Sequence, residues 1–261
     1  MADREKLIRY YKGTEGETAA VKLVDMAETV TKNRKYRLSG FLDPYGCEIA
    51  ETIAANYPGI NVSFEGGYPG AERQRAAFAH DDFMGKAAFD IRAVKLSWSE
   101  AHYHLSHRDV LGSVLGLGID RMQIGDLLIK AGSAVVLTDQ KMADFILENC
   151  IQIGAAKVSA EMTELEAIEP KEERCKEIKA TVASLRADSV AAAGFGCSRS
   201  KAASDIEADK LKLNWQSVKN ASQTVKEGDI LSLRGRGRVE VVEVRGQTKK
   251  GRIGIFLRRY I

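Results

Sequence analysis

The side chains best suited to chemistry in this chain are cations, and they crowd its last third. From Thr181 to the end there are 16 Lys/Arg against 8 Asp/Glu, a net charge of +8, which leaves 23 against 28, or −5, for residues 1–180. A small domain of that charge attracts polyanions, and nucleic acid is the first candidate. Ser198 is placed to cap a helix over 199–208, whose first turn presents Arg199, Ser200 and Lys201. Free backbone N–H groups and the helix dipole make such a turn suitable for a phosphate. The alternation in Lys210-Leu-Lys-Leu-Asn-Trp215 predicts a strand with Leu211 and Leu213 on one face and Lys210, Lys212 and Asn214 on the other. Arg234-Gly-Arg-Gly-Arg238 follows a short apolar run. If extended, its three arginines share a face at a spacing of ~6.7 Å, comparable with successive phosphates, and its glycines admit a nucleic-acid backbone. A flexible loop or a hairpin with incidental charge is the competing reading.

Other chemistries find little support. His102, His104 and His107 fall within six residues, but no Cys or carboxylate cluster at ligand spacing completes a metal site, so a structural or RNA-facing role is expected and no metal. The four cysteines (Cys47, Cys150, Cys175, Cys197) are scattered and indicate neither a zinc ribbon nor a disulfide framework. No dinucleotide fingerprint or phosphate-binding loop occurs, so no cofactor is expected. His107-Arg-Asp109 shares three letters with a kinase catalytic loop but lacks the Asn and the Gly-rich loop that give those letters meaning. The longest charge-free run, 52–64, is too short and too polar for a bilayer span, and the first thirty residues lack a secretory apolar region. The expectation is a cytoplasmic protein without a membrane partner.

The elements that must position these residues can be read by period. Residues 89–98 alternate as a strand, 107–117 carry a helical apolar stripe, and 124–129 and 134–138 read as strands joined by a tight turn at 131–133. Asp139 caps a helix carrying Met142, Phe145, Ile146 and Cys150, and 156–162 alternates again. The order β-α-β-β-α-β is the ferredoxin-like arrangement shared by many RNA-recognition modules. The first 75 residues read as mostly helical and end in a Gly/Pro-rich segment, 64–73, that demands a turn. Glu161–Lys179, rich in glutamate around Pro170, reads as a solvated connector, part of it helical. Beyond it, a helix over 183–193 stopped by Gly194 and Gly196, then the capped helix and several short strands, make a small αβ domain. The fold class is α+β, with domains at 1–78, 79–165 and 181–261 and a connector at 166–180.

Leu185-Arg-Ala-Asp188, Gly196-Cys-Ser-Arg-Ser-Lys-Ala202, Asp205-Ile-Glu-Ala-Asp-Lys-Leu-Lys-Leu-Asn214 and Val225-Lys-Glu-Gly-Asp-Ile230 resemble the S-four RNA-binding domain, named for ribosomal small-subunit protein four. Two departures stand out: Ala187 in place of Leu in the Arg-Leu-Asp signature, and Asp209 in place of Gly at a helix end, where Asp tolerates left-handed geometry better than most residues. Phe41-Leu-Asp-Pro44, residues 64–73, His107-Arg-Asp-Val-Leu-Gly112, Leu117-Gly-Ile-Asp-Arg121 and Ile124-Gly-Asp126 look like hallmark segments of the YlmH-like proteins, over nearly the whole chain.

The resemblance implies a non-enzymatic, ribosome-associated RNA-binding protein. It points to quality control on large subunits that hold peptidyl-tRNA, with rRNA and the large subunit as partners, tRNA as a further candidate, and a monomeric state. The RNA-binding set it implies is Arg186, Ser198, Arg199, Ser200, Lys201, Lys210, Lys212, Asn214, Arg234, Arg236 and Arg238, with Arg108 and Arg121 as an auxiliary surface and no catalytic residue. The alternatives are an rRNA or tRNA modification enzyme and a cell-division-linked adaptor.

Overall fold

Apolar spacing of three and four residues along 17–33, capping side chains at Asp43, Ser106, Asp139 and Ser198 before later helices and period-two runs between them produce a mixed α and β chain. The computed structural model describes residues 4–169, 174–249 and 251–260, and the chain divides into two compact units, 1–171 and 172–261.

In the first unit, α1 (Arg4–Tyr11), α2 (Glu17–Asn33) and α3 (Pro44–Ala55) accompany strands β1 (Tyr36–Leu42), β2 (Ile60–Glu65) and β3 (Gln74–His80). Leu23, Val24, Ala27 and Val30 on α2 pack on Ile49 and Ile53 of α3 and on Phe78 of β3. Asp43 starts α3 by accepting from the Gly46 N–H, with Pro44 in the first turn where its missing donor costs nothing. Beside the expected helices there is thus an antiparallel sheet in the order β1-β3-β2.

The next stretch gives β4 (Arg92–Ser97), α4 (His107–Gly116), β5 (Ile124–Lys130), β6 (Ser133–Thr138), α5 (Gln140–Asn149), a small hairpin of β7 (Gln152–Ile153) with β8 (Ala156–Lys157), and β9 (Ser159–Thr163). The sheet order is β5-β6-β4-β9, antiparallel throughout. This is the expected ferredoxin-like arrangement. Ser106 and Asp109 form a reciprocal capping box on α4, and Asp139 caps α5. The run read as one strand over 156–162 is two, because Ala156–Lys157 pairs back onto β7 before β9 joins β4.

α4 and α5 cover one face of this sheet. The opposite face is also closed: Ala93 and Leu137 lie buried beneath Phe41, Ile91 and Ile168, with Tyr68 and Leu165 packed alongside. The closing segment is the Gly/Pro-rich 64–73. Gly67, at φ 92°, sits where a Cβ would come within 3.3 Å of Ile91, Leu137 and Leu165, so only glycine fits. Asp126 of β5 accepts from Tyr68 Oη (2.7 Å) and from the N–H groups of Glu72 (2.7 Å) and Arg73 (3.0 Å). The half-buried Arg73 guanidinium donates to the carbonyls of Phe41 and Ile124.

The second unit contains β10 (Cys175–Val182), α6 (Ala187–Phe195), α7 (Arg199–Glu207), β11 (Leu211–Leu213), β12 (Gln216–Ser217), β13 (Ile230–Leu233), β14 (Gly237–Gln247) and β15 (Ile253–Tyr260). Its sheet runs β10-β15-β14-β13-β11-β12, antiparallel, with both helices on one face. The expected connector is corrected here: its C-terminal part is the edge strand β10, because Ile178, Ala180 and Val182 alternate onto the core and pair with β15. Pro170, Glu172 and Glu173 lie outside the described residues, and the helical part reduces to one 3-10 turn, Leu165–Ala167. α6 starts four residues later than the apolar pattern suggests, since Leu185 and Arg186 are held in a ladder with Val225 and Thr224. Gly194 does not stop the helix. It lies inside α6, where a Cβ would meet the Val239 side chain at 2.7 Å, and Gly196 in the left-handed region ends it.

Replacing Asp126 by Ala strands three donors, two of them backbone, and is expected to lower stability by about 2–4 kcal/mol in chemical denaturation, against about 1 kcal/mol for Tyr68→Phe. Hydrogen exchange should show the Glu72 and Arg73 amides losing protection first in the Asp126→Ala protein.

Candidate nucleic-acid interface

The candidate site is built around two inward-facing aspartates, each holding two cations. Asp188, 3% exposed, lies in the first turn of α6. Its Oδ1 accepts from Arg186 Nε (3.2 Å) and Ser189 Oγ (3.1 Å), and its Oδ2 from Arg186 Nη2 (3.1 Å) and Arg199 Nε (3.0 Å). Burial pushes this carboxyl up, but the hydrogen bonds from Arg186, Arg199 and Ser189 outweigh it and hold it below the ordinary carboxylate range. Asp205, one turn from the end of α7, is likewise buried and binds Lys201 Nζ at 2.9 Å and Lys210 Nζ at 3.7 Å. The bond from Lys201 also lowers the Asp205 carboxyl. Arg199 and Lys201 keep more than half of their side-chain surface in water despite these anchors.

Ser198 caps α7 as expected, accepting from the Lys201 N–H at 3.1 Å and sharing a hydrogen bond with Ser200 Oγ. Arg186, Ser198, Arg199 and Ser200 are thereby brought together where α6 and α7 begin, while Lys201 reaches along α7 to meet Lys210 at Asp205. Asp209 adopts φ 52°, and the Lys210 N–H then bonds the Asp205 carbonyl, so the left-handed position that a glycine usually fills is met by Asp.

The remaining members separate from this group. The strand read as 210–215 is only Leu211–Leu213. Asn214 and Trp215 turn the chain at φ 48° and 62°. The Asn214 amide is committed to that turn: it donates to Asp229 and accepts from the Ile230 N–H. Asn214 therefore shares no sheet face with Lys212. The Arg-Gly-Arg-Gly-Arg run is a hairpin, not an extended row, because Gly235 and Gly237 take φ 79° and 85° and Leu233 pairs with Gly237. A Cβ at Gly237 would lie 2.7 Å from the Tyr260 carbonyl oxygen, so this glycine serves the turn rather than an approaching nucleic-acid backbone. The three arginines diverge. Arg234 is exposed at the tip. Arg236 turns back toward the helices and donates to the Phe195 carbonyl at 3.3 Å. Arg238 lies over the Tyr260 ring, 5.8 Å from its centroid.

Sequence reasoning missed Arg259, which stacks on Phe195 and also donates to its carbonyl, and it missed the two anchoring aspartates as anchors. The signal for Asp205 and Lys201 was their i, i+4 spacing on one helix. For Arg259 no local pattern was available.

In the first unit Arg108 is exposed on the opening turn of α4, but Arg121 is not a surface group. Its Nη1 donates to the Ile124 carbonyl at 2.6 Å, and burial, with Arg73 beside it, lowers its pKa to about 10. The helix-free sheet face offers no substitute: its apolar part is covered, Lys95 pairs with Glu161 and Lys130 with Glu169. Among the described residues no group of three or more His, Cys, Asp or Glu could hold a metal ion, and no helix is long and apolar enough to cross a membrane.

Comparison with known proteins finds three family models along the chain. The family model described as "YlmH, N-terminal" matches residues 15–83, "Putative RNA-binding domain in YlmH" matches 85–167, and "S4 domain" matches 185–231. The chain is similar to the ribosome-associated protein quality control protein P2 of Bacillus subtilis (strain 168), at 29% identity over 231 residues, covering 88% of this chain and 90% of the relative. It also resembles in fold the structure titled "Cell division protein ylmH from Streptococcus pneumoniae", with a TM-score of 0.53 and 22% identity over 59% of this chain and 95% of that one.

Asp188→Asn should keep the shape of the α6–α7 junction while weakening its charge-assisted bonds, costing about 2–4 kcal/mol near neutrality. The carboxyl is held low in the folded state, so its contribution is complete above its ordinary value of 3.8 and disappears as pH falls through the lowered folded value. Denaturation curves of the two proteins should accordingly converge in acid and stay parallel from pH 5 upward.

Proposed function

We propose, from the premise that this chain is a YlmH-like protein with a C-terminal S4 domain, that it binds ribosomal RNA on the ribosome and acts without covalent chemistry. The observation that carries this reading is the set of acid-anchored cations along α7: Arg186 and Arg199 on Asp188 at its N-terminal end, and Lys201 and Lys210 on Asp205 in its last turn. Two buried aspartates hold these side chains at the domain surface, so less conformational entropy is lost when a phosphate binds. Orienting cations toward a helix N-terminus suits backbone recognition of structured RNA, in which groove shape supplies the selectivity. The name of the Bacillus subtilis relative supports placing the activity in ribosome-associated quality control. The RNA would then lie on the large subunit carrying peptidyl-tRNA, and the tRNA itself is a second candidate ligand of a cytoplasmic, monomeric protein.

Replacing Arg199 and Lys201 together by Ala should release the full-length protein from purified large subunits in sucrose-gradient sedimentation. The salt dependence of rRNA binding should flatten by roughly 0.7 to 0.9 per lost phosphate contact, and the melting temperature should fall too, because Asp188 and Asp205 are buried and each loses a cation, so binding is compared at a temperature where circular dichroism shows the variant folded. Unchanged co-sedimentation of this folded variant across a salt series would remove the anchoring role from this surface.

A further inference from the structure

In the first unit the β1-β3-β2 sheet buries Ile60, Ala76 and Phe78 in the core with α2 and α3, so the alternate residues of the same strands point the other way. Strand register sets what that second face carries. In one row Tyr36 opposes Ala79 and Ala79 opposes Asn61; in the next Leu38 opposes Ala77 and Ala77 opposes Ser63. The middle strand contributes only methyl groups there, which leaves a trough between larger neighbours. Residues 83–89 complete it: Phe83, Lys86 and Phe89 join Asn61, Ser63 and Ala79 in lining an open cleft of about 430 Å³, a volume suited to a small molecule. Both aromatic walls are fixed. The Phe83 N–H donates to the His80 carbonyl at 2.8 Å, and its ring lies 5.0 Å from that of Tyr36. Gly85 leaves room for it, since a Cβ there would fall 2.7 Å from the Phe83 ring. Phe89 is held by Arg75, which donates to the Phe89 carbonyl at 2.8 Å and to the Ser39 carbonyl at 3.0 Å.

We infer that this cleft binds a guanine nucleotide, either free or as an unpaired residue of an RNA chain. Unstacked bases are held against aromatic rings, and a flat ring fits a trough floored by a methyl group and flanked by two phenyl rings. The polar lining decides which base. Asn61 spends its amide N–H on the Asp81 carboxylate, so its carbonyl oxygen remains, and a carboxylate only accepts. Guanine alone among the bases presents two adjacent donors, N1–H and the N2 amino group, to such acceptors. Adenine and cytosine would turn a ring-nitrogen lone pair toward the carboxylate, and uracil offers one N–H between two carbonyls. His80 and Ser63 supply donors for the guanine O6. The His80 Nδ1 accepts the Asp82 N–H, which leaves its Nε2–H to donate. Lys86 is the lysine of the lining and the group for the attached phosphate. The neighbouring Asp82 is not part of the lining and pairs with Arg34 at 2.8 Å. None of these groups belongs to the cation set of the second unit, so guanine binding stands or falls independently of that surface.

The test titrates the full chain, by calorimetry, with guanosine and adenosine monophosphates and with two unpaired oligouridylate 12-mers, one carrying a single central guanosine. Guanosine monophosphate should bind about tenfold or more tightly than adenosine monophosphate, the discrimination expected of one paired base contact. Asp81→Asn keeps the shape and still accepts from Asn61, but it sets an N–H against the guanine donors, so it should erase that preference while the circular dichroism spectrum stays unchanged. A preference seen with the monophosphates supports the site and makes its ligand a free nucleotide. A preference confined to the two 12-mers, and lost in Asp81→Asn, supports the site with an unpaired RNA residue as its ligand. Equal affinity for the two monophosphates together with equal affinity for the two 12-mers, a guanine preference that survives Asp81→Asn, or no binding of any guanine probe would overturn it.

Discussion

The carboxylate of Asp188 is almost out of contact with water, and it takes hydrogen bonds from two arginines, Arg186 just before α6 and Arg199 in the first turn of α7. A carboxylate in that position without partners would cost several kcal/mol. The arginines must therefore converge on it, and that convergence fixes how the start of α7 stands against the start of α6. Other features follow from the same junction. Gly194 lets α6 lie against Val239. Gly196 turns the chain out of α6, and Ser198 restarts it with a cap whose hydroxyl satisfies the Lys201 N–H. The arrangement also resolves an electrostatic conflict. An acid beside a polyanion site is repulsive when exposed, whereas an acid turned inward leaves its charge compensated and its arginines facing out.

In the first unit the comparable constraint is Asp126, but there the purpose is closure. An isolated ferredoxin-like sheet has one helix-covered face and one open face, and the open one is the usual nucleic-acid platform. Here Phe41, Tyr68, Leu165 and Ile168 occupy it, and Asp126 holds the segment that carries Tyr68. The net charge of −5 over residues 1–180 contrasts with the +8 of the remainder, so the cationic field of the chain belongs to its last third.

Much of this was legible in the sequence wherever a period or a cap decides structure. The strand and helix order over 92–163, the caps at Asp139 and Ser198 and the left-handed Asp209 all depend on residues a few positions apart. What escaped depends on partners distant in the chain. Arginine alternating with glycine has the same period as a strand, yet positive φ at two glycines makes a turn, and that turn is required by the Tyr260 carbonyl 23 residues later. Glutamate-rich composition concealed β10 because the residues that pair with it lie in β15. Arg121 looked like a surface cation, but its guanidinium bonds the carbonyls of a strand to which it leads.

The division of the cations between two faces follows from how a half-buried sheet must be written. Leu211 and Leu213 on β11, and Val239 and Val241 on β14, are needed by the core, so Lys212 and Arg238 have no freedom to join the helix side. Moving either strand by one residue would bury the charge and expose the leucines or valines. Cations reach the helix side only from helices, from turns, or from the end of a strand where the core has run out. Arg236 in its turn and Arg259 at the end of β15 do this, and both cap the last carbonyl of α6. Among the described residues Arg259 Nε meets no hydrogen-bond acceptor, and the side chain is held by its stacking on Phe195 and its bonds to two carbonyls. A strongly basic two-layer domain of this size therefore distributes its charge over both faces, and the side chains between the cations distinguish them: serines and buried aspartates beside α7, aromatic rings on the open sheet.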